Sequence, residues 1–322
     1  MKSRAQTLLH KTTIQRPVTT LTALAGFLSL TLLALSTAAT SHAQVLLYEF
    51  NPATPGTSAA STGTVTSATG TLYKAASTAA NLYGADGSGV SGLPGDKAFN
   101  NTATTHSTSN VTSGLFSVGG GGVGPTLAGL TQFTLAGWFK TDSNPIAGGA
   151  RLFEYTSGNN GFLFYSSSNG SLSLSINGAN IATSNTTSYT AVGSWVFFAV
   201  SIDLADSTKT VTFYQGTDTT LATPTADTTI NATNLNKTTS VAATTANLNI
   251  GNSGNFARAM DGYLDNMAIF TTALTEAEVR AFQIRGAPQL VPEPATNALA
   301  LAAAAATLGC FAALRRRHHD KR

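Results

Sequence analysis

The stretch Ser171-Leu-Ser-Leu-Ser-Ile176 alternates polar and apolar residues without a break and stops on Asn177-Gly178. Period two is the spacing of a strand with one face buried, and Asn-Gly is the pair favoured by a two-residue hairpin turn. The same period recurs through the second half of the chain. Phe133-Thr-Leu-Ala-Gly-Trp-Phe139 sets Phe133, Leu135 and Phe139 on one side, and Arg151-Leu-Phe-Glu-Tyr155 and Gly161-Phe-Leu-Phe-Tyr165 follow. Ser194-Trp-Val-Phe-Phe-Ala-Val-Ser-Ile202 is apolar on both sides, as a central strand is. Thr210-Val-Thr-Phe-Tyr214 is expected to run into a turn at Gln215-Gly216. Leu248-Asn-Ile250 and Gly262-Tyr-Leu-Asp-Asn-Met-Ala-Ile-Phe270 read as the last strands. Thr275 with Glu278 three residues on fits a capping box, which predicts a short helix to about Gln283. Residues 51–125 are Ser/Thr/Ala/Gly-rich, end in Gly119-Gly-Gly-Gly122, and predict a few strands between long loops. The expected fold class is all-β.

The two ends have a different character. Lys2, Arg4, Lys11 and Arg16 precede an apolar run from Leu21 to Leu35, and Ser41-His42-Ala43 offers the small residues a signal peptidase needs. Residues 1–43 are therefore expected to be a signal peptide. Ala295 to Leu314 is Ala-rich and just long enough to cross a bilayer, and Arg315-Arg316-Arg317 beside it favours the cytoplasmic side. The expected topology is a removed leader, an exported middle (residues 44–289) and an anchored tail (residues 290–322) with a transmembrane helix at 295–314.

Pro292-Glu293-Pro294, an apolar helix and the arginines 315–317, in that order, resemble the PEP-CTERM sorting signal of Gram-negative bacteria. The resemblance implies recognition by an exosortase-type transpeptidase. It also implies transient anchoring in the inner membrane and delivery to the cell surface or an extracellular polysaccharide matrix.

Half of the basic residues lie in the two terminal segments. Between Gln44 and Leu290 stand nine Lys and Arg against thirteen Asp and Glu, so the middle is mildly acidic and has no basic face for a row of phosphates. The single cysteine, Cys310, falls in the apolar tail, which leaves the middle without a disulfide and dependent on its apolar core. One histidine, His106, lies there in a polar loop, too few for a zinc site built on several His or Cys ligands. Gly87, Gly89 and Gly92 have the spacing of a phosphate-binding string. They lack the preceding strand and following helix that such a string requires, and read as a loop. Glycoside hydrolysis needs two carboxylates flanking the scissile bond. Glu276 and Glu278 suit a helix start, and Glu49 and Glu154 each stand alone in apolar strands, with convergence in space left open.

The succession also resembles a family. Its parts are Gln44-Val-Leu-Leu-Tyr-Glu-Phe50, Gly92 to Phe99, Phe133 to Trp138, Gly193 to Val200, Lys209 to Tyr214, Leu248 to Asn252, Met260 to Phe270 and Ala273 to Val279. In order and spacing they are similar to the laminin-G-like, concanavalin A-like jelly rolls of secreted bacterial proteins, with Asp261 to Val279 the most specific stretch. The resemblance implies an antiparallel two-sheet jelly-roll sandwich. It also implies a structural calcium between the first strand and an aspartate of the last, with Asp265 and Asn51 as the matching ligands. The family pattern commonly has a second acid after that aspartate, where this chain has Asn266.

Sugar binding needs aromatic platforms, for which Trp138, Trp195, Tyr155, Tyr165, Tyr189 and Tyr214 are available. Both tryptophans lie in apolar strands and are expected in the core, whereas Tyr189 is expected to be exposed. Three functions fit. The first is a non-catalytic recognition or matrix protein that binds carbohydrate or another surface component; the second is a polysaccharide hydrolase or lyase; the third is a structural matrix component. The missing carboxylate pair favours the first and third, and no catalytic residue is assigned.

Overall fold

The computed structural model describes residues 45–74, 78–102, 113–142, 149–167, 169–187 and 190–290. The expected leader, the apolar tail with its sorting signal, His106 and Tyr189 lie outside them. Among the described residues no helix is long and apolar enough to cross a membrane.

In chain order the strands are β1 (Leu46–Tyr48), β2 (Ser58–Ala60), β3 (Thr69–Lys74), β4 (Thr78–Ala79), β5 (Phe99–Asn100), β6 (Gly114–Val118), β7 (Gln132–Thr141), β8 (Ala150–Ser157) and β9 (Asn160–Ser166). They continue with β10 (Leu172–Ile176), β11 (Ala179–Ser184), β12 (Trp195–Asp203), β13 (Thr210–Thr217), β14 (Thr223–Pro224), β15 (Thr228–Ile230), β16 (Leu248–Ile250) and β17 (Gly262–Phe270). The helices are α1 (Gly120–Leu127), α2 (Ala232–Lys237) and α3 (Glu276–Gly286), with a 3-10 turn at Pro288–Leu290.

Among the described residues the strands form two antiparallel sheets. One has seven strands in the order β1-β17-β7-β12-β13-β14, with β5 also against β17. The other has ten, in the order β15-β11-β10-β9-β8-β16-β6-β3-β2, with β4 on β3. The alternation seen in the sequence explains the pairing. Phe133, Leu135 and Phe139 of β7 and Phe198, Val200 and Ile202 of β12 all point between the sheets. There they meet Phe153, Phe162, Phe164, Leu174 and Ile250 of the larger sheet, and Phe164 stands 5.4 Å from Phe198 between ring centroids. Full burial of each such side chain contributes roughly 1.5–3 kcal/mol, which suits a core that uses no disulfide. Asn177 and Gly178 both take positive φ, 52° and 76°, and turn β10 into β11 as their pairing predicts.

Two local expectations are corrected. Gln215 and Gly216 do not turn: they stay in β13, opposite Phe198 and Phe197. The glycine is there for close approach, because a Cβ at Gly216 would sit 2.9 Å from both the amide of Ala222 and the carbonyl of Thr220. The Gly119–Gly122 run does not stay a loop either, because Gly120 onward forms α1. Val123 and Leu127, one turn apart, drive that helix by sinking fully into the inter-sheet core. The short α2, capped by the Asn231 side chain, also escaped the periodicity.

The other side of the seven-stranded sheet is covered as well. Leu47, Ala136, Trp138, Trp195, Phe197, Ala199, Ala268 and Phe270 point away from the main core. They form a second one with Val90 and Ala98 of the loop before β5 and with Leu274, Val279 and Phe282 around α3. Helix α3 begins on the capping box expected at Thr275: the backbone amide of Thr275 donates to Glu278 Oε2 at 2.8 Å. Its Gln283 reaches over the sheet, with Oε1 accepting from the amide of Ala222 and Nε2 donating to the carbonyls of Thr217 and Thr220.

Candidate functional site

Among the described residues, the outer face of the ten-stranded sheet has no such cover over β3, β6, β16 and β8, which lie side by side there. Register places Ser117 opposite Asn249 and Asn249 opposite Glu154, so three outward-facing polar residues form one row across three strands. Each sits between two core residues of its own strand, as period two requires. The row is joined by hydrogen bonds. Asn247 Nδ2 donates to Ser117 Oγ at 3.1 Å, Ser117 Oγ to Asn249 Oδ1 at 2.7 Å, and Asn249 Nδ2 to Glu154 Oε1 at 3.3 Å. The Gly254 amide donates to the same Oε1 at 2.8 Å, and Arg151 Nε to Oε2 at 3.2 Å. Burial draws the Arg151 pKa below its ordinary value and the neighbouring Glu154 opposes that fall. Arg151 in turn lies over the Tyr165 ring, 5.2 Å from its centroid.

Over this row opens a trough of about 350 Å³, walled by Tyr73 and Leu115 on one side and by Gly254 and Phe256 on the other. Phe256 holds φ at 61°, a conformation that bulky residues seldom adopt. The loop that imposes it is densely bonded: Asn252 Oδ1 accepts the amides of Ser253 and Arg258, and Ser253 Oγ accepts the amide of Ala257. Backbone strain of this kind costs about 1–3 kcal/mol and is kept where the surroundings fix it.

The trough residues went unassigned in the sequence apart from Glu154, which stood only as a carboxylate. The signal was present, since Phe116-Ser117-Val118, Phe153-Glu154-Tyr155 and Leu248-Asn249-Ile250 each place one polar residue between two core residues. What period two does not give is which strands become neighbours. Of the aromatic candidates, Trp138, Trp195, Tyr155 and Tyr214 are all buried, as expected for the tryptophans. Tyr165 is half-buried beneath Arg151, and Tyr73, not singled out in the sequence, lines the trough.

Asp265 and Asn51 lie on the covered side. Asp265 is fully buried; its Oδ2 accepts the Val90 amide at 3.0 Å and its Oδ1 the Asn266 amide at 2.7 Å. Burial pushes its pKa well above the ordinary carboxylate value, with Asp96 and Glu49 adding repulsion and the two amides opposing it. Asn51 comes near only through Asp96: its Nδ2 donates to Asp96 Oδ1 at 3.1 Å, while its own Oδ1 accepts the Lys97 amide at 2.6 Å. Asp96 Oδ2 is further occupied by the amide and hydroxyl of Ser91. These are the hard oxygen donors that calcium takes. In this arrangement they are turned to N–H and O–H groups, and among the described residues no three His, Cys, Asp or Glu stand close enough to hold a metal ion.

The bulge in β17 shapes this corner. Pairing with β7 shifts by one residue between Asp265 and Ala268, and Asn266 takes φ 48°. Asp265 and Asn266 thereby both lie on the covered side, and Met267 regains the main core.

Glu49 and Glu154 do not converge. Glu49 is on the covered side, where Arg285 of α3 and the Thr62 hydroxyl reach it, whereas Glu154 lies on the outer face of the opposite sheet.

Several solved structures are similar to this chain at low identity. Domain 4 of AbnA, an extracellular arabinanase of Geobacillus stearothermophilus solved with arabinotriose, is 13% identical, with 75% of this chain and 98% of that one covered and a TM-score of 0.48. The binding domain of Paraclostridial Mosquitocidal Protein 1 is 15% identical over 74% of this chain and 51% of that one, with a TM-score of 0.48. The sialidase CBM40 of Ruminococcus gnavus, solved with α2,3-sialyllactose, is 19% identical over 50% and 85%, with a TM-score of 0.35. Among curated protein sequences none matches. Residues 119–280 match the family model of the concanavalin A-like lectin/glucanases superfamily, and the chain belongs to that family.

Proposed function

We propose that this chain is an exported, non-catalytic recognition protein that holds a carbohydrate in the trough over Ser117, Asn249 and Glu154. The observation that carries the reading is the hydrogen-bonded row itself. Its side chains are held in place before any ligand arrives, and they sit beside the Tyr73 ring in a depression of the size ligand sites have. Preorganised polar groups beside an aromatic wall suit a ligand with hydroxyls on its edge and C–H groups on its face. The family contains both lectins and glucanases. The recognition reading is favoured because, among the described residues, Glu154 is the one carboxylate lining its trough.

The test is a glycan array probed with the full-length chain, with and without calcium. Binding that falls about tenfold in Tyr73→Ala supports the reading. No binding to any glycan would leave a structural matrix role instead. An assay on extracellular polysaccharides, with Glu49→Gln and Glu154→Gln beside the parent, tests catalysis; turnover lost in either variant overturns the non-catalytic reading.

Two further parts of the proposal rest on the sequence. The tail with Pro292, Glu293, Pro294, Arg315, Arg316 and Arg317 would direct surface sorting by an exosortase-type transpeptidase, so its removal should leave the protein unsorted. Structural calcium would lie at Asp265, whose buried carboxyl is repelled by Asp96 and Glu49. Asn51 would have to turn its oxygen from the Lys97 amide to join it. Calcium should then raise the melting temperature of the parent and not of Asp265→Ala.

A further inference from the structure

Of the residues that line the trough, Glu154 is the charged one, and it lies on the floor. Its neighbour Arg151 does not line the trough. The guanidinium is spent on Glu154 Oε2 and the Gly149 carbonyl and lies over the Tyr165 ring. A ligand entering the trough therefore meets a carboxylate with its cation behind it.

The bonding capacity left over is specific. Glu154 Oε1 already accepts two N–H groups, whereas Oε2 accepts one and retains room for another donor. The Nδ2 groups of Asn249 and Asn247 each give one hydrogen within the row and keep one. A carboxylate oxygen beside amide hydrogens matches neighbouring hydroxyls: one hydroxyl donates to the carboxylate while the next accepts from the amide. The carboxylate of a uronate, or a sulfate group, brings only acceptors to the position of Oε2, and like charges in a partly desolvated depression repel.

Resting on the carbohydrate reading above, we infer that the trough selects neutral sugars with adjacent free hydroxyls and rejects acidic ones, with Glu154 as the specificity-determining residue. The mild acidity of the whole middle region acts in the same direction at longer range.

The experiment compares retention of the full-length chain on immobilised neutral polymers (arabinan, xylan, a mixed-linkage β-glucan) with retention on polygalacturonate and alginate. The expected result is binding to at least one neutral polymer and none to either polyuronate. Glu154→Gln removes the charge and keeps the shape. It should weaken neutral binding by about tenfold and shift the neutral-to-uronate ratio by more than that, because the charge that repels an anion is gone. Thr156→Lys, which places a cation at the edge of the trough and leaves Glu154 paired, should shift the ratio in the same direction. A parent protein that binds polyuronate at least as tightly as neutral polymers, or a ratio unmoved in both variants, overturns the inference and leaves the carbohydrate reading standing. Binding to neither class overturns both.

Discussion

The outer face of the seven-stranded sheet buries Trp138, Phe197 and Phe270 beneath α3 and the loop carrying Val90, whereas the outer face of the ten-stranded sheet leaves Ser117, Asn249 and Glu154 beneath an open trough. The two sheets share one core and differ in what their far sides hold. On the covered side most side chains are apolar, and Asp265, which falls there, is shut away from solvent with its two oxygens on backbone amides. On the open side polar residues satisfy one another sideways and keep capacity towards solvent. A second layer converts one face into stability, whereas among the described residues the trough on the other stays open.

The contrast can be broken most forcefully at Trp138. Truncation to Ala should destabilise the protein by about 3–5 kcal/mol, measured by denaturant unfolding, because a fully buried indole packed 5.1 Å from Phe197 leaves a large void. A loss under 1 kcal/mol would show that the cover contributes little.

Asp265 sharpens the comparison through pH. Its folded-state pKa is raised well above 3.8, so the folded chain holds a proton that the unfolded chain releases. Its contribution is fully present below that value, declines as pH climbs through the raised folded pKa and then levels off. Asp265→Asn should flatten the slope of unfolding free energy against pH in that window. Calcium, if it binds there, should flatten it too, by favouring the charged form. An unaltered slope in the variant would mean that another group sets it.

A smaller effect is expected from Thr275→Ala, which removes the capping box of the covering helix and should lower stability by about 1 kcal/mol. The smallest belongs to the open face. Asn247 is exposed but its Oδ1 holds the Gly120 amide at the start of α1, so Asn247→Ala should cost about 0.5 kcal/mol while weakening glycan binding.

Period two exposed the main core. Phe133, Leu135 and Phe139 share a side because a pleated strand has only two, and Trp195 to Ile202 is central because both its sides are apolar. The covering layer was half-legible. The Thr275 cap marked where α3 starts, yet nothing in Gly84 to Ala98 announces a loop that folds over a sheet. Gly216 misled because glycine serves turns and tight contacts alike, and the contact with Gln283 is 67 residues away in the chain. The trough was the least legible part. Its row of three joins residues 117, 154 and 249, whose proximity is set by strand order and not by any local pattern.

The pairing of β1 with β17 sets Leu46 against Ile269, so the earliest strand of the sandwich closes on the latest. Contacts of such large sequence separation slow folding, because the intervening chain must be ordered before they can form. While synthesis continues, β1 has the nearby Ser61 to Val65 segment to bond with but lacks the strand it pairs with. A polypeptide that reaches its final shape only once its far end has arrived stays open until then. The same closure brings the two extremities of the sandwich together at one sheet edge, where a short linker should allow the gene to be rearranged so that β17 precedes β1.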